Sequence, residues 1–257
     1  MINFKDVTFI VPIRFDSEDR RNNFKTSMNY LLRNFDTNII VLDSDKESNE
    51  EFVKSVSEKI KYVFEENDEK LFHRTKLLND MTKMAETEII VNYDVDVIFP
   101  IKQYLESKKK IEEGCTMCFP YDGHFYDIPR NFHNDINNDK LESIPLDKCT
   151  LFNPHSVGGA FFFSKERYGN IGWENENFIS WGHEDWERIV RVKKMGYEMC
   201  RTDGVLYHLT HDRTNNSNEQ NPFYRFNGEE FHRVNGMSKE DLDKYIQTWE
   251  WCNVKTL

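Results

Sequence analysis

The chain has 257 residues, of which 38% are hydrophobic and 14% aromatic, so it can bury the core of one large α/β domain or two small ones. A formal net charge of −11 argues against nucleic acid or an anionic membrane surface as the main partner. No apolar run approaches the length of a transmembrane helix, and Met1–Asp6 leads directly into a predicted strand. We therefore expect a cytoplasmic protein without a membrane span.

The cysteines bear on the redox state of the protein. They lie at positions 115, 118, 149, 200 and 252, and their number is odd. Cys115 and Cys118 form a single C-x-x-C pair, with no second pair to complete a zinc site. We favour buried reduced thiols over a zinc site, in agreement with a cytoplasmic protein.

Strand-like and helix-like segments alternate through the first part of the chain. Apolar runs predict strands, and apolar residues at helical spacing predict the helices between them. This alternation predicts an α/β protein with a mostly parallel central sheet flanked by helices. In chain order, the predicted strands are 7–13, 38–42, 61–64 and 89–91, and the predicted helices are 17–35, 50–60, 72–85 and 101–113.

The second part of the chain is predicted to mix short elements with loops. Residues 131–140 and 215–221 are polar, which is typical of turns or mobile loops. A closing helix is predicted at 238–251, where Ser-Lys-Glu-Asp provides a capping sequence. Further strands are predicted at 115–119, at 124–128, after Gly159 and twice within 197–207, and a further helix at 188–195.

The chain is organised around the run that ends in Asp94-Val95-Asp96. Ile89–Val91 is apolar like a buried strand, and ligands in an open α/β sheet bind beyond the carboxyl ends of strands. Two carboxylates one residue apart repel each other unless a cation lies between them, and Mg²⁺ or Mn²⁺ carrying a phosphate suits such oxygens. A solvated turn would carry the same residues, so the motif alone is open to both interpretations.

Other segment ends also carry polar or flexible residues. Arg14 follows the first strand and is either a surface residue or a contact to phosphate or base, because guanidinium matches phosphate oxygens. Asp43 and Asp45 follow the second strand and could bind a ribose or a base edge. Gly158 and Gly159 indicate either close approach of the backbone to a ligand or a tight turn.

Two later segments carry candidate chemical groups. In 181–185, Trp-Gly-His-Glu-Asp, the two acids either cap the helix that follows or supply a general base beside an indole on which a sugar can stack. His208 and His211 are three residues apart. They are either structural or supply imidazole to a metal bound by Asp96.

Taken in order, these motifs resemble those of the β-1,4-galactosyltransferases and their bacterial relatives, including the chondroitin-polymerase type of catalytic domain. The family motifs are Pro-Phe-Arg, Phe-Asn-Arg-Ala-Lys-Leu-Leu-Asn, Asp-Val-Asp, a Gly-Gly strand, Trp-Gly-Gly-Glu-Asp and a metal-binding His segment. The corresponding residues, within 7–213, are Pro12-Ile13-Arg14, Phe72-His73-Arg74-Thr75-Lys76-Leu77-Leu78-Asn79, Asp94-Val95-Asp96, Gly158-Gly159, Trp181-Gly182-His183-Glu184-Asp185 and His208 with His211.

The resemblance implies a GT-A fold, in which a nucleotide-binding half is joined to an acceptor-binding half. It implies inverting transfer of a hexose or N-acetylhexosamine from a UDP-sugar to a glycan hydroxyl, with Mn²⁺, or alternatively Mg²⁺, as cofactor. We expect a single catalytic domain over 1–257, with the nucleotide-sugar half at about 1–100, the acceptor and metal half at about 101–235, and a C-terminal helix at about 236–257. The absence of a signal anchor favours a bacterial or viral cytosolic enzyme.

The resemblance also assigns roles to residues. The catalytic residues would be Asp185, as the general base, and Glu184 beside it. Asp96 with His208, His211 or both would hold the metal. The acceptor would contact Trp181, Gly182 and Glu184. The predicted nucleotide-sugar contacts, which add Asp43 to the motif positions, are Pro12, Arg14, Asp43, Phe72, Arg74, Lys76, Asp94, Val95 and Gly159.

Three positions depart from the family pattern. Asp16 stands where animal members often carry a second Arg, which changes the expected nucleotide contacts. His183 replaces a Gly and narrows the space beside the acceptor. Animal members often use Met and His as metal ligands where this chain has His208 and His211, and an imidazole pair accepts Mg²⁺ more readily than a thioether site does.

Three other interpretations stay open. A retaining transferase of the same fold would differ in the anomeric configuration of its product. A non-catalytic nucleotide- or glycan-binding module is disfavoured by the presence of Asp96, Asp185 and both histidines. A metal-dependent phosphohydrolase would release sugar phosphate or nucleotide without any acceptor.

Overall fold

The computed structural model describes residues 1–69, 71–138, 140–212 and 221–252. Most of the loop predicted at 215–221 therefore lies outside the described residues, as does the end of the predicted C-terminal segment. The strands are β1 (Ile2–Ile13), β2 (Phe35–Asp45), β3 (Lys61–Glu66), β4 (Ile89–Tyr93), β5 (Val97–Ile98), β6 (Met117–Phe119), β7 (Phe125–Ile128), β8 (Thr150–Asn153), β9 (Ala160–Ser164), β10 (Met199–Arg201) and β11 (Leu206–Leu209). The helices are α1 (Glu18–Asn34), α2 (Glu50–Val56), α3 (Arg74–Met84), α4 (Ile101–Glu112), α5 (His133–Asn137), α6 (Lys165–Gly169), α7 (Glu184–Met195), α8 (Tyr224–Gly236) and α9 (Lys239–Gln247).

The main sheet has the strand order β10-β6-β9-β4-β1-β2-β3 in the described part of the chain. Neighbouring strands are parallel except at β9, which runs antiparallel to both β4 and β6. This arrangement confirms the predicted α/β fold with a mostly parallel sheet flanked by helices. All five residues of β4 are buried, which explains why a central strand has a continuous apolar sequence.

A second, smaller sheet has the order β5-β11-β7-β8. Its strand β5 begins directly after Asp96 and pairs antiparallel with β11, so that Val97 lies opposite His208. On its other side β11 pairs in parallel with β7, which places His208 opposite Asp127. The second sheet therefore brings the histidine segment to the end of β4.

Side-chain capping sets the start of the first and last helices. The Ser17 hydroxyl accepts a hydrogen bond from the Arg20 backbone N–H at 3.2 Å, and the Ser238 hydroxyl accepts one from the Asp241 backbone N–H at 3.1 Å. Both predicted helix starts are confirmed. Helix α7 begins earlier than predicted, so Glu184 and Asp185 lie in its first turn, where carboxylates interact favourably with the helix dipole.

Two helical segments differ from the predictions. The polar stretch predicted to be a turn or mobile loop contains a 3-10 turn at Arg130–Phe132 and then α5. Tertiary contacts explain this difference, because α5 buries Ile136 and Arg33 on α1 donates hydrogen bonds to its backbone carbonyls. Helix α8 has no counterpart among the predicted elements. Within the described ranges, no helix is both long and apolar enough to cross a bilayer.

The prediction of reduced thiols is wrong for Cys115 and Cys200, which form a disulfide with a Cα–Cα distance of 6.4 Å. Strand β10 lies parallel to β6 with Cys200 opposite Cys118, and this pairing brings Cys200 next to Cys115, which lies just before β6. Cys118 is free and buried, and burial raises the pKa of its thiol to about 11. Disulfides are typical of oxidising compartments, so this one does not support the cytoplasmic expectation, which stays a prediction.

Candidate active site

A cavity of about 500 Å³ opens where β1 and β4 end. It is lined by every predicted site residue except Asp43 and Lys76, although these residues come from six separate segments of the chain. The predicted residues that line it are Pro12, Arg14, Phe72, Arg74, Asp94, Val95, Asp96, Gly159, Trp181, Gly182, Glu184, Asp185, His208 and His211.

One corner of the cavity, which we call the metal corner, consists of Asp96, His208 and His211. One ligand atom from each residue lies within 4.8 Å of the others. His211 Nε2 is 3.1 Å from Asp96 Oδ2, and His208 Nε2 is 3.8 Å from Asp96 Oδ1. The backbone helps to fix this corner, since the Leu209 N–H donates to the Asp96 carbonyl at 2.7 Å.

Both imidazole rings of the metal corner are oriented through their other nitrogen. His208 Nδ1 lies 2.6 Å from Asp127 Oδ1, and His211 Nδ1 lies 2.8 Å from the Asp212 carbonyl oxygen. Each Nδ1 faces an acceptor and donates to it, so Nε2 is the atom that can ligate a metal; at His211 this nitrogen donates to Asp96 here and would release its proton when a metal binds. Two imidazole nitrogens and one carboxylate oxygen form a donor set that fits a divalent cation such as Mn²⁺.

The electrostatics of the metal corner keep its carboxylate ionised. Burial by itself would raise the pKa of Asp96, but the hydrogen bond with His211 and the nearby charges of His208 and Arg20 hold it well below its ordinary value. The hydrogen bond with Asp96 in turn raises the pKa of His211. A cation at this position would meet a carboxylate that needs no deprotonation.

Asp94, the first carboxylate of the motif, is bound by Arg74 rather than by the metal corner. Its Oδ1 accepts a hydrogen bond from Arg74 Nη2 at 2.6 Å, and the same guanidinium nitrogen donates to Asn92 Oδ1 at 3.2 Å. The Asp94 N–H donates to the carbonyl of Gly159 at 2.9 Å, which ties the motif to the glycine pair before β9. The two carboxylates of the motif therefore have different partners.

Arg14 lies at the end of β1 and is held by backbone carbonyls. Its Nε donates to the Ser44 carbonyl at 2.7 Å and its Nη1 to the Glu69 carbonyl at 2.9 Å. The guanidinium lies 5.8 Å from the ring centroid of Phe72, so the two side chains form one surface of the cavity. Its Nη2 is buried and has no hydrogen-bond partner within the described residues.

The two predicted residues that do not line the cavity have other partners. Asp43 is fully buried at the end of β2, where its Oδ2 accepts hydrogen bonds from Tyr62 at 2.7 Å and from Asn49. Burial raises the pKa of the Asp43 carboxyl. Lys76 lies on the outer face of α3, where it pairs with Glu65 at 3.1 Å and with Asp80 at 2.9 Å.

A second corner of the cavity, which we call the base corner, is lined by Glu184 and Asp185 and supported by the buried pair Glu174 and Arg188. Arg188 has no exposed side-chain surface and donates from Nε and Nη2 to the two oxygens of Glu174 at 3.0 and 2.7 Å. Its Nη1 donates to Asp185 Oδ1 at 2.8 Å. Arg188 therefore fixes the Asp185 carboxylate, a third of which stays exposed to the cavity.

The glycine pair leaves room for the base corner. A Cβ atom at Gly158 would lie 2.7 Å from Asp185 Oδ2, which is closer than real Cβ contacts allow. Gly159 has a φ of +82°, and a Cβ there would lie 2.9 Å from a methyl carbon of Leu206. Both glycines are therefore required by the packing of the protein around the cavity, and close approach of a ligand to this backbone stays a prediction.

Glu184 lies beside Asp185 but in a different environment. It is only 5% exposed, and its Oε2 accepts a hydrogen bond from the Gly182 N–H at 2.7 Å. Burial, together with the charge of Asp185, raises the pKa of Glu184 to about 7. Near neutral pH this side chain can therefore either donate or accept a hydrogen bond.

Aromatic side chains also line the cavity. The Trp181 ring stacks on Tyr224 of α8 with a centroid distance of 5.8 Å and an interplanar angle of 15°. Trp186 and Phe152 also line the cavity, and about half of each side chain is exposed. Such rings provide flat apolar surfaces on which pyranose rings can stack.

Sequence reasoning missed several residues of the site. Asp127 orients His208, Arg188 and Glu174 hold Asp185, and Arg20 contacts Asp96 at 3.3 Å. Arg188 lies three residues after Asp185 on α7, so helical spacing could have indicated this pair. The other contacts depend on strand pairing and on helix packing between distant segments.

Comparison with known families adds one match. Residues 143–213 match the family model described as the N-terminal domain of galactosyltransferase. This range contains the glycine pair, the Trp181–Asp185 segment and both histidines of the metal corner. None of the curated proteins matches the chain significantly in sequence.

Solved structures share the fold at low sequence identity. The mannosyltransferase PcManGT from Pyrobaculum calidifontis, in complex with GDP-Man and Mn²⁺, has a TM-score of 0.52 and 18% identity, with coverage of 82% of this chain and 58% of that one. Glucosyl-3-phosphoglycerate synthase from Mycobacterium tuberculosis, in complex with Mn²⁺, UDP and phosphoglyceric acid, has a TM-score of 0.52 and 13% identity, with coverage of 90% and 78%. The chain thus spans less than two thirds of the length of the mannosyltransferase.

The structural similarity defines the fold class of this protein. Its α/β architecture is the GT-A fold of the glycosyltransferases, as the structural similarity shows. The match over residues 143–213 agrees with the resemblance to galactosyltransferases and supports a glycosyltransferase.

Proposed function

We propose that the protein is a metal-dependent, inverting glycosyltransferase. It would transfer a hexose or N-acetylhexosamine from a UDP-sugar to a hydroxyl group of a glycan. The observation that carries this proposal is the presence of a metal corner and a base corner in one cavity of about 500 Å³. Transfer with inversion uses a group that stabilises the leaving diphosphate on one face of the sugar and a base that activates the acceptor hydroxyl on the other face. The metal corner and the base corner would supply these two functions.

The metal corner would hold a divalent cation through Asp96, His208 and His211. When bound, the cation would supply positive charge for the diphosphate that leaves the sugar. Asp127 and the Asp212 carbonyl would keep both imidazole rings aimed at it. Metal dependence is also supported by the two structures of the same fold that contain Mn²⁺.

The base corner would take the proton of the acceptor hydroxyl. Arg188 occupies Oδ1 of Asp185, so Oδ2 is the oxygen available to accept the proton. The acceptor oxygen forms its bond to the anomeric carbon while the bond from that carbon to the diphosphate breaks. Because attack comes from the face opposite the leaving group, the configuration at the anomeric carbon inverts.

The acceptor would lie between Asp185 and the aromatic ring of Trp181. Trp181, held flat by Tyr224, would stack on a sugar ring of the acceptor. Glu184 would hydrogen-bond an acceptor hydroxyl, and its pKa of about 7 allows it to act as donor or acceptor there. The glycine pair would keep the space between the acceptor and the donor sugar open.

The nucleotide would lie along the ends of β1 and β2. Arg14, Phe72 and Arg74 line this part of the cavity and would contact the base, ribose and phosphates. Asp43 is buried one layer below and would act through the residues above it rather than through direct contact. The donor base is the least constrained part of the proposal, because one structure of this fold binds GDP-Man and another binds UDP.

Thermal denaturation with nucleotides tests the donor and the metal together. UDP, GDP and their hexose and N-acetylhexosamine conjugates are added in the presence of Mn²⁺, Mg²⁺ or a chelator. Ligands that bind the native state raise Tm by linkage. We expect a metal-dependent increase in Tm with UDP and with one UDP-sugar. An increase with GDP and not with UDP would show that the donor is a GDP-sugar. No increase with any nucleotide would contradict the proposed function.

The stereochemistry of the product tests the mechanism. With the donor identified, the anomeric configuration of the new bond is read by NMR on a panel of mono- and disaccharide acceptors. Inversion is the expected result. Retention would assign the protein to the retaining transferases of this fold, and rapid release of sugar or sugar phosphate without an acceptor would favour a phosphohydrolase.

A further inference from the structure

Arg20 bridges two carboxylates at the edge of the metal corner. It lies in the first turns of α1, and its Nη1 is 3.3 Å from Asp96 Oδ2 while its Nε is 3.4 Å from Asp16 Oδ1. The oxygen Asp96 Oδ2 is also the one that His211 Nε2 approaches at 3.1 Å. Arg20 therefore occupies a carboxylate oxygen that a metal ion would need.

The contacts of Arg20 are weaker than those of the other arginines in the cavity. Arg74 donates to Asp94 at 2.6 Å, and Arg14 donates to a backbone carbonyl at 2.7 Å. Charge-assisted hydrogen bonds in proteins are usually about 2.7–2.9 Å long, and both contacts of Arg20 are longer. About a fifth of the Arg20 side chain is exposed, so it has room to change partner.

A cation at the metal corner would change the balance of these contacts. Arg20 and a divalent cation carry like charges, so they cannot share Asp96 Oδ2 at close range without repulsion. The diphosphate of a nucleotide-sugar would introduce new anionic oxygens next to the metal, and guanidinium matches phosphate oxygens well. Arg20 lines the cavity beside Asp96 and could exchange its long contacts for a shorter one to such an oxygen.

We propose that Arg20 couples the binding of metal and of nucleotide. In the absence of metal it holds the Asp96 carboxylate, and when metal binds it moves to the diphosphate. This inference rests on the proposed function, because it requires a nucleoside diphosphate in the cavity. It makes Arg20 a binding residue for the leaving group and predicts that metal and nucleotide each increase the affinity for the other, as reciprocal linkage requires.

Calorimetric titration measures this coupling directly. Mn²⁺ is titrated into the protein alone, and UDP is then titrated with and without saturating Mn²⁺. The variant is Arg20→Gln, and the matched control is Lys25→Gln, which removes one positive charge from an exposed position of the same helix. Circular dichroism at matched temperature checks that each variant is folded.

We expect Arg20→Gln to bind Mn²⁺ alone several-fold more tightly, because a competing cation is removed from Asp96. In the presence of Mn²⁺ it should bind UDP about tenfold more weakly, since one hydrogen bond between charged groups is lost. The factor by which Mn²⁺ increases UDP affinity should therefore fall. Arg20→Lys, which keeps the charge but loses the planar fork, should lie between wild type and Arg20→Gln.

The outcomes separate this inference from the proposed function. Unchanged affinities for both Mn²⁺ and UDP in Arg20→Gln would overturn the coupling role while leaving the transferase proposal intact. Weaker binding of Mn²⁺ alone would also overturn it, because Arg20 would then support the metal corner rather than compete with it. If the wild-type protein bound neither Mn²⁺ nor UDP, this would instead contradict both the assignment of the metal corner and the proposed function.

Discussion

The metal corner and the base corner are built in different ways. Asp96 and the two histidines come from segments far apart in the chain, and the antiparallel pairing of β5 with β11 brings them together. Asp185 and Arg188, by contrast, lie one turn apart on α7, and Glu174 completes a buried ion pair behind them. One corner depends on strand register, whereas the other depends on a helix and on charge pairing.

The difference extends to the protonation of the carboxylates. Asp96 and Glu184 are both buried, and burial alone would raise the pKa of each. Asp96 faces His211, His208 and Arg20, which hold its pKa well below the ordinary value. Glu184 faces the charge of Asp185, and its pKa rises to about 7. Carboxylates whose pKa values are pushed apart by their surroundings can take different roles in one reaction.

The largest expected effect is on the metal corner itself. Asp96→Asn removes the anionic ligand, so it should lower kcat for sugar transfer by about a thousandfold, comparable to the loss of a key electrostatic contact in other enzymes. Transfer assays at saturating Mn²⁺ and calorimetric titration of Mn²⁺ measure this. Asp36→Asn, at a partly exposed ion pair with Lys5, is the control. Normal transfer by Asp96→Asn would show that the metal is held elsewhere or is not needed.

Substitution of Asp185 in the base corner should slow the chemical step without changing ligand binding. Asp185→Asn keeps the side-chain volume but cannot accept a proton, so kcat should fall by about a hundredfold. Binding of UDP in the presence of Mn²⁺ should be unchanged, which distinguishes this variant from Asp96→Asn. Steady-state kinetics and calorimetry together provide the measurement, and unchanged turnover would rule out Asp185 as the base.

Asp127 tests whether orientation of the ligands matters as much as their identity. Asp127→Asn should weaken the fixed orientation of His208 without removing a ligand from the metal corner. Mn²⁺ affinity should fall by about 10–100-fold, the usual range for such outer partners. Metal titration followed by Mn²⁺ electron paramagnetic resonance measures the free ion. An affinity equal to that of wild type would show that His208 needs no partner, or that His208 is not a ligand.

The smallest expected effect concerns the stability of the base corner. Glu184 has a pKa of about 7 in the folded protein and an ordinary value of 4.5, so the folded state binds an extra proton between these two pH values. The free energy of unfolding contributed by this group therefore falls as pH rises from about 4.5 to 7 and stays low above that. The side chain in Glu184→Gln does not ionise, so this variant does not lose that free energy of unfolding as pH rises.

We expect Glu184→Gln to be more stable than wild type at pH 8 by on the order of 2 kcal/mol, and to match it near pH 4. Urea denaturation of both proteins across this pH range measures the difference in their free energies of unfolding. The contributions of all other titrating groups cancel in this difference. A constant difference between the two proteins at every pH would show that Glu184 has no raised pKa in the folded state.

Much of the main sheet could be predicted from local sequence. The buried strand before Asp94 and the helix after Ser17 have strong periodic and capping signals, and both lie where expected. The ordered motifs also predicted which residues meet in the cavity. Asp43 and Lys76 were predicted to contact the nucleotide, yet they lie outside the cavity, because one points into the protein and the other outward from α3.

The parts that could not be predicted are those made by contacts between distant segments. Sequence shows that Asp96, Asp185 and two histidines are present, and the spacing of their motifs indicates a family. It does not show that Asp127 orients His208, because that contact depends on the register of β7 against β11. Nor does it show the disulfide between Cys115 and Cys200, whose positions meet only through the pairing of β6 and β10.

The amino-acid sequence by itself determined the fold class and the order of the chemical groups, because strand and helix periodicity and helix capping are local properties of the chain. Only the tertiary structure decided the partner of each charged group. Burial makes an unpaired charge costly, so the packing that removes Asp96, Glu184 and Arg188 from water also fixes which groups they must face. Those pairings lower the pKa of Asp96, whereas burial beside Asp185 raises that of Glu184.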